Sequence, residues 1–414
     1  MIKDEILFKN TDKDGALPLA VLVSVTGDER SFDELELLLN TAGGECFCRV
    51  TQFRESPDKK YCIGSGKAEE IAGICRDNGI ELIVFDNELS PSQIANLEEL
   101  ADGVRVIDRT MLILDIFALH AVSAEGKLQV ELARLSYTLP RLSGKGIEMS
   151  RLGGGIGTRG PGESKLEEDK RDLRRKIDSV RRQLDALAQN RDTQRKRRER
   201  SGVFSLCIAG YTNAGKSTLM NSLTGAGVLA ENKLFATLDS TTRRFTLPCG
   251  EEILMTDTVG FIRNLPHHLI NAFRSTLDEV KDADAVLIVC DASDPDCDAE
   301  TEVTRRTLYA LGAAEKPVLC VYNKCDLVFD RRPDRFYISA GTGEGLDTLV
   351  AAVERLVLGG RRRVRFFFPH GKTGYADALY KNGVDVKPDY RDEGVEIEAT
   401  VDVKTYGMLK EFVL

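Results

Sequence analysis

The chain has 414 residues, 42% hydrophobic and 30% charged, with a formal net charge of −9. At roughly 100–200 residues per domain this predicts several domains, each able to bury a core. No apolar run approaches the ~18 residues of a membrane span, and the opening MIKDEILFKN lacks the basic-then-apolar build of a secretory leader. A cytoplasmic protein with no membrane span, monomeric when free, is therefore expected. Ten Cys without a CxxC pair read as small reduced core residues, and four His without ligand spacing form no metal cluster.

Residues 1–124 predict an N-terminal α/β domain. ALPLAVLVSV reads as a strand, SFDELELLLNTAGG as a helix with a Ser cap and a glycine stop, and CFCRVTQF as a strand. AEEIAGICRDNG is a helix, ELIVFD a strand, SPSQIANLEELADG a helix opened by Ser-Pro, and RVIDR a short strand before TMLILDIFALHA. Strand–helix alternation with short connections predicts a parallel sheet covered by helices. The run Gly64-Ser65-Gly66-Lys67 is only a fragment of a phosphate loop, and a turn capping a helix explains it.

Residues 125–200 predict a long helical hairpin. Leu128, Leu132, Leu135 and Leu139 form one helical stripe; Leu166, Leu173, Ile177, Val180, Leu184 and Leu187 form another. Between them, 140–163 is Gly-rich with prolines, so an irregular tip is expected there. From 141 to 200 there are 18 Lys+Arg against 10 Asp+Glu, a local balance of +8 inside an acidic chain. One face for a polyanion is the expectation. Gly153, Gly154, Gly155 and Gly157 would let backbone approach phosphates, with Arg141, Lys145, Arg151 and Arg159 supplying charge.

Residues 203–358 predict a second α/β domain with a nucleotide site. VFSLCIAG runs into GYTNAGKST, the pattern G-x-x-x-x-G-K-S/T between a strand and a helix. Gly210 to Gly215, through Tyr211, Thr212, Asn213 and Ala214, would wrap phosphates with backbone N–H groups. Lys216 would neutralise outer oxygens, Ser217 would complete Mg²⁺ coordination, and Thr218 continues the helix N-terminus. EEILMTDTVG ends a strand at Asp257, then Thr258, Val259 and Gly260; the carboxylate can hold Mg²⁺ through water and the Gly260 amide can sense a terminal phosphate. PVLCVYNK ends in Asn323-Lys324-Cys325-Asp326, where Asp326 can accept both guanine donors that adenine lacks. Ser339, Ala340 and Gly341 offer a backbone loop for the guanine O6. Together these motifs resemble a Ras-like translation-factor GTPase, so GTP/GDP and Mg²⁺ are the expected cofactors. In LFATLDSTTRR, spacing leaves Thr237, Thr241 and Thr242 open as the second Mg²⁺ ligand. Phe261 stands where Ras-type enzymes carry a water-orienting Gln. Residues 359–414 predict a small C-terminal α+β domain.

Over its length the chain resembles the HflX family of GTPases. The resemblance is carried by EGKLQVELARLSYTLPRL, SRLGGGIGTRGPGESKLE, GYTNAGKSTLMNSLT, LFATLDSTTR and DTVGFIRNLPHHLINAFRSTL. It implies that Phe235, Ala236, Thr237, Leu238 and Asp239 form the first switch, with Thr237 on Mg²⁺, and that a hydrophobic residue replaces the catalytic Gln, as Phe261 does. Lys216, Thr237 and Gly260 would then serve hydrolysis. It further implies a GTP hydrolase that binds the large ribosomal subunit and dissociates or rescues stalled ribosomes in stress, with the Gly-rich tip 140–163 and its Arg141, Lys145, Arg151 and Arg159 expected on rRNA. The competing readings are an ATP- or GTP-dependent RNA-remodelling enzyme and a GTP-gated RNA-binding module; no D-E-A-D box supports the former.

Overall fold

The computed structural model describes residues 17–150, 161–201, 203–225, 235, 240–258, 260–262, 279–310, 312–313, 315–359, 362–401 and 403–414, without the side chains of 143–150, 161–166, 190–201, 362, 403 and 404. Its first sheet is wholly parallel: β1 (Leu19–Ser24), β2 (Glu45–Thr51), β3 (Leu82–Phe85) and β4 (Arg105–Asp108), in the order β2-β1-β3-β4. The crossovers parallel strands require are α1 (Glu29–Ala42), α2 (Ser65–Asn78) and α3 (Pro91–Leu100), followed by α4 (Arg109–His120). Both faces are covered, so Leu22, Val23, Val84 and Phe85 are wholly buried. Ser90 and Gln93 form the capping box that starts α3. The start of α1 differs from expectation: Asp28, not Ser31, caps it by accepting from the Arg30 N–H at 3.1 Å. Ser31 instead donates to Asp86 Oδ2 at 2.6 Å.

Two long helices follow, α5 (Ala124–Ser150) and α6 (Pro161–Ser201), packed on each other. The irregular tip expected over 140–163 is corrected at its two ends, because α5 runs through Pro140 to Ser150 and α6 begins at Pro161; 151–160 lies outside the described residues. Proline lacks an N–H and ordinarily breaks a helix, but tertiary anchors flank this one. On one side Tyr137 is buried. On the other, the Arg141 guanidinium pairs with Asp108 Oδ2 at 3.3 Å and donates to the Leu89 carbonyl at 3.1 Å. The deepest face of α5 is Val130, Ala133 and Tyr137, and the predicted Leu stripe is half-buried beside it. In α6 the predicted Leu173, Ile177 and Val180 are buried, while Leu166 lies outside the described side chains.

The second sheet holds β5 (Phe204–Gly210), β6 (Thr241–Thr246), β7 (Glu252–Asp257), β8 (Ala285–Asp291) and β9 (Val318–Asn323), ordered β6-β7-β5-β8-β9. All are parallel except β6, which pairs antiparallel with β7. Helices α7 (Lys216–Thr224), α8 (Cys297–Ala310) and α9 (Leu346–Val357) accompany it. The last unit is an antiparallel sheet of β10 (Arg362–Pro369), β11 (Val384–Arg391) and β12 (Gly394–Val401), ordered β10-β12-β11, with short helices α10 (Asp377–Asn382) and α11 (Val403–Met408). Phe366, Phe368, Leu379 and Ile397 form its core. The architecture is the expected multidomain α/β fold. Among the described residues, no helix is long and apolar enough to cross a membrane.

Candidate nucleotide site

The central strand β5 has parallel neighbours on both sides, so the loop leaving it emerges between the ends of β7 and β8. Such a crevice is where open α/β sheets bind ligands. Gly215 closes the loop at φ 89°, and a Cβ there would lie 2.2 Å from Asn323 Nδ2. No other residue fits that conformation and that space. The next residue, Lys216, opens α7 and turns back over the loop. Its ammonium donates to the carbonyls of Tyr211 at 2.7 Å and Gly210 at 3.2 Å, with the side chain buried. Burial lowers its pKa to about 8 against the opposing pull of Asp257. A buried ammonium whose charge is opposed by desolvation and met only by neutral carbonyls gains from an anionic ligand.

Asp257 at the end of β7 is buried, and its Oδ2 accepts from the Ser217 hydroxyl at 2.7 Å. The two predicted Mg²⁺-side residues are thus in contact. Thr258 bonds back to the Ile208 carbonyl through its hydroxyl at 2.8 Å. A Cβ on Gly260 would lie 2.9 Å from Lys216 Nζ and 2.8 Å from Thr212 Cγ2, so only glycine brings this backbone against the lysine. Phe261 is zipped to the loop: its N–H donates to the Gly210 carbonyl at 3.1 Å, and its carbonyl accepts from the Thr212 N–H at 2.7 Å. Its ring is buried, with no group to orient water.

Asn323, ending β9, does more than the motif reading assigned to it. Its Nδ2 donates to the Ala214 carbonyl at 2.8 Å, and its Oδ1 accepts from the Ala340 N–H at 2.9 Å. One buried amide therefore fastens the phosphate loop to the Ser339–Gly341 loop. Ser339 is buried, and its hydroxyl accepts from the Thr342 N–H at 3.2 Å. Lys324, at φ 60°, pairs with Asp291 at 2.6 Å, leaving Asp326 exposed beyond it. Tyr211, Asn213 and Thr218 lie in the loop and the first turn of α7 as expected.

Of the three switch threonines, Thr242 is committed to the sheet, its hydroxyl 3.0 Å from that of Thr256, and Thr241 opens β6 opposite Asp257. Phe235 is buried. Ala236, Thr237, Leu238, Asp239 and Val259 lie outside the described residues, as do Arg151, Gly153, Gly154, Gly155, Gly157, Arg159 and the Lys145 side chain. Arg141, expected on rRNA, is instead engaged within the chain, stacked 3.3 Å over the Tyr137 ring and paired with Asp108. Buried Asp108 needs a counter-charge, and α5 supplies it.

The motif reading missed two residues. Glu34 of α1 accepts from the Tyr211 hydroxyl at 3.1 Å, and Arg109 of α4 pairs with Glu34 at 2.8 Å. Nothing local in the sequence marks a contact spanning 177 positions.

Three family models match in chain order: GTP-binding GTPase N-terminal over 29–118, GTP-binding GTPase Middle Region over 120–198 and 50S ribosome-binding GTPase over 205–324. A GTPase HflX from Caldanaerobacter subterraneus subsp. tengcongensis is 46% identical over 97% of this chain and 94% of its own length. The chain belongs to the HflX family of GTPases. The HflX of Escherichia coli K12 is 44% identical over 80% of each chain. Among solved structures, a GTP-binding protein from Sulfolobus solfataricus in complex with GDP aligns with a TM-score of 0.47 at 26% identity, covering 83% of this chain and 99% of that one. This HflX chain is a GTP hydrolase built on a P-loop domain.

Proposed function

We propose that this HflX GTPase binds the large ribosomal subunit in the cytoplasm, entering as a monomer, and uses GTP to dissociate or rescue stalled ribosomes under stress. In this reading Gly210–Thr218 wraps the phosphates, and Lys216 exchanges its two loop carbonyls for phosphate oxygens. Gly260 offers its N–H to the terminal phosphate. Asp326 accepts from guanine, while Ser339, Ala340 and Gly341 offer backbone to its O6. The oxygen donors at Ser217 and Asp257, already together, suit a hard cation; Ser217 and Thr237 would hold Mg²⁺, with Asp257 reaching it through water. Bound Mg²⁺ supplies charge neutralisation between phosphates. Phe261 provides no water-orienting group, so unassisted hydrolysis is slow and the partner sets the rate.

The observation that carries the ribosomal part is the surface of α6. Arg171, Arg174, Arg175, Lys176, Arg181 and Arg182 are all exposed and outnumber the exposed Asp172 and Asp178 among them, while Leu173, Ile177 and Val180 are buried. Such a row binds phosphate backbone and is sensitive to salt. The match to the 50S ribosome-binding GTPase family supports the choice of polyanion. The span 151–160 and the flanking Lys145 are the proposed rRNA-probing tip. The test is co-sedimentation with large and small subunits in GDP and in a non-hydrolysable GTP analogue. The reading expects analogue-dependent binding to large subunits that weakens with salt. It also expects that replacing 151–160 with a short linker keeps GTP binding but loses subunit dissociation. A replaced chain that still dissociates ribosomes would overturn the role given to the tip; equal binding to both subunits would overturn the choice of partner.

A further inference from the structure

We infer that Glu34 is a positioning residue for nucleotide binding, acting on the phosphate loop through the Tyr211 hydroxyl. Tyr211 is the first residue after Gly210, and its carbonyl is the nearer acceptor of the Lys216 ammonium. Its ring is buried, and its hydroxyl donates to Glu34 Oε1 at 3.1 Å. The position of this ring therefore sets the start of the loop that must present its N–H groups to phosphate.

Glu34 is itself held. Its Oε2 pairs with Arg109 Nη2 at 2.8 Å, and Arg109 Nη1 pairs with Asp86 Oδ1 at 2.7 Å. The second Asp86 oxygen accepts from Ser31 at 2.6 Å. Asp86 follows β3 and Arg109 follows β4, so this network is fixed at the C-terminal ends of two neighbouring strands of the N-terminal sheet. The guanidinium is almost wholly buried. Burial works against its charge, but Glu34 and Asp86 overcome that and hold its pKa above the ordinary arginine value. A buried ion pair of this kind resists rearrangement, because moving one member strands the other.

A second contact fixes the same boundary. Phe117 of α4 meets Phe235 edge-on, with centroids 4.6 Å apart and planes at 71°. Phe261 and Ile262 lie in the same buried cluster as Phe117 and Tyr211. Phe261 is bonded through its backbone to Gly210 and Thr212. The N-terminal domain thus grips the loop by a hydrogen bond at Tyr211 and by apolar packing around Phe261. A loop held in one arrangement loses less freedom when ligand arrives, which raises affinity without adding a ligand contact. The coupling is reciprocal: whatever displaces α1 changes nucleotide affinity by the same factor that nucleotide changes the hold on α1.

The experiment measures GDP and GTP-analogue affinity and saturated GTP turnover in the full chain. Tyr211→Phe removes only the hydroxyl, and Glu34→Ala removes the acceptor while Arg109 keeps Asp86. Each is expected to weaken affinity by about 3- to 10-fold, the size of one hydrogen bond, and to raise the KM for GTP more than it lowers kcat. The double variant is expected to be no weaker than the weaker-binding single, since both delete one interaction. Arg30→Ala is the control, because it removes a different ion pair across the same boundary, to Asp296, and should leave affinity unchanged. Unchanged affinity in Tyr211→Phe, multiplying losses in the double variant, or an equal loss in Arg30→Ala would each overturn the inference. If Glu34→Ala does not fold, Tyr211→Phe against Arg30→Ala decides it alone.

Discussion

Two glycine–lysine turns in this chain end a β-strand region and open a helix, and only one of them makes a phosphate site. At the turn before α2, Gly64 is extended, with φ −68° and ψ 152°, and its N–H donates to the Gln52 side chain at 2.6 Å. Lys67 lies along its own helix and pairs with Glu70 at 2.7 Å. The first turn of α2 has no side-chain cap, so what this turn lacks is a loop wrapped around a ligand and a lysine turned back over it. At the turn before α7, the loop folds over itself through left-handed Asn213 and Gly215, and Lys216 is buried against loop carbonyls. Residue types are shared; what differs is the length of loop between the glycines and the burial of the lysine. Phosphate recognition follows from a wrapped backbone with an unspent cation, which two glycines and a lysine do not guarantee.

Removing each lysine in turn should separate the two turns most strongly. Lys216→Ala should lower GTP turnover by about a hundredfold or more, while Lys67→Ala should leave it unchanged, measured as phosphate release. A large loss in Lys67→Ala would restore the first turn as a nucleotide site. Next, Asp326→Asn should weaken GTP binding by about 1.5–3 kcal/mol and improve binding of xanthosine triphosphate, read by calorimetric titration. Equal wild-type affinity for ATP and GTP would remove Asp326 from the guanine pocket.

A smaller effect tests the burial of Lys216. Its pKa is lowered to about 8 in the free protein, and a bound phosphate favours the charged ammonium, raising it. The bound state then holds more protons than the free state above that pH. GTP affinity should therefore fall as pH rises past about 8, by up to about tenfold per unit, with proton uptake on binding. Titration in buffers of different ionisation heat measures that uptake; none at pH 9 would contradict the burial argument. The smallest effect belongs to Phe261→Leu. It should cost less than about 1.5 kcal/mol of stability and leave unassisted hydrolysis unchanged, because the ring packs and does not touch water. A collapse of basal hydrolysis with affinity intact would assign the ring a chemical role.

The two α/β units were legible because alternation of apolar strands with capped helices is a local signal. Ser90, Pro91 and Gln93 announce α3 without any tertiary contact. The nucleotide motifs were legible for the same reason, since each lies at the end of a buried strand. Three features were not. Helix α5 continues past Pro140 because Arg141 finds Asp108 and Leu89, far away in sequence. Strand β11 carries Lys387, Pro388 and Asp389, a poor strand pattern that pairing with β12 rescues at the sheet edge. The Glu34–Tyr211 contact joins two domains, and neither residue stands in a motif that predicts the other. Local physics writes strands, caps and loops into short windows, whereas buried charges choose their partners only once the chain has folded.

Under the proposed function, the large ribosomal subunit controls this chain's P-loop chemistry. GTP turnover by the intact chain, measured alone and with isolated large subunits, small subunits or naked RNA of matched phosphate content, tests it most directly. Turnover should be slow alone and rise by about an order of magnitude or more with large subunits only, as about 10³-fold or greater gains follow when a missing transition-state group is supplied in trans. Turnover that rises equally with naked RNA, or with none of these, would contradict it.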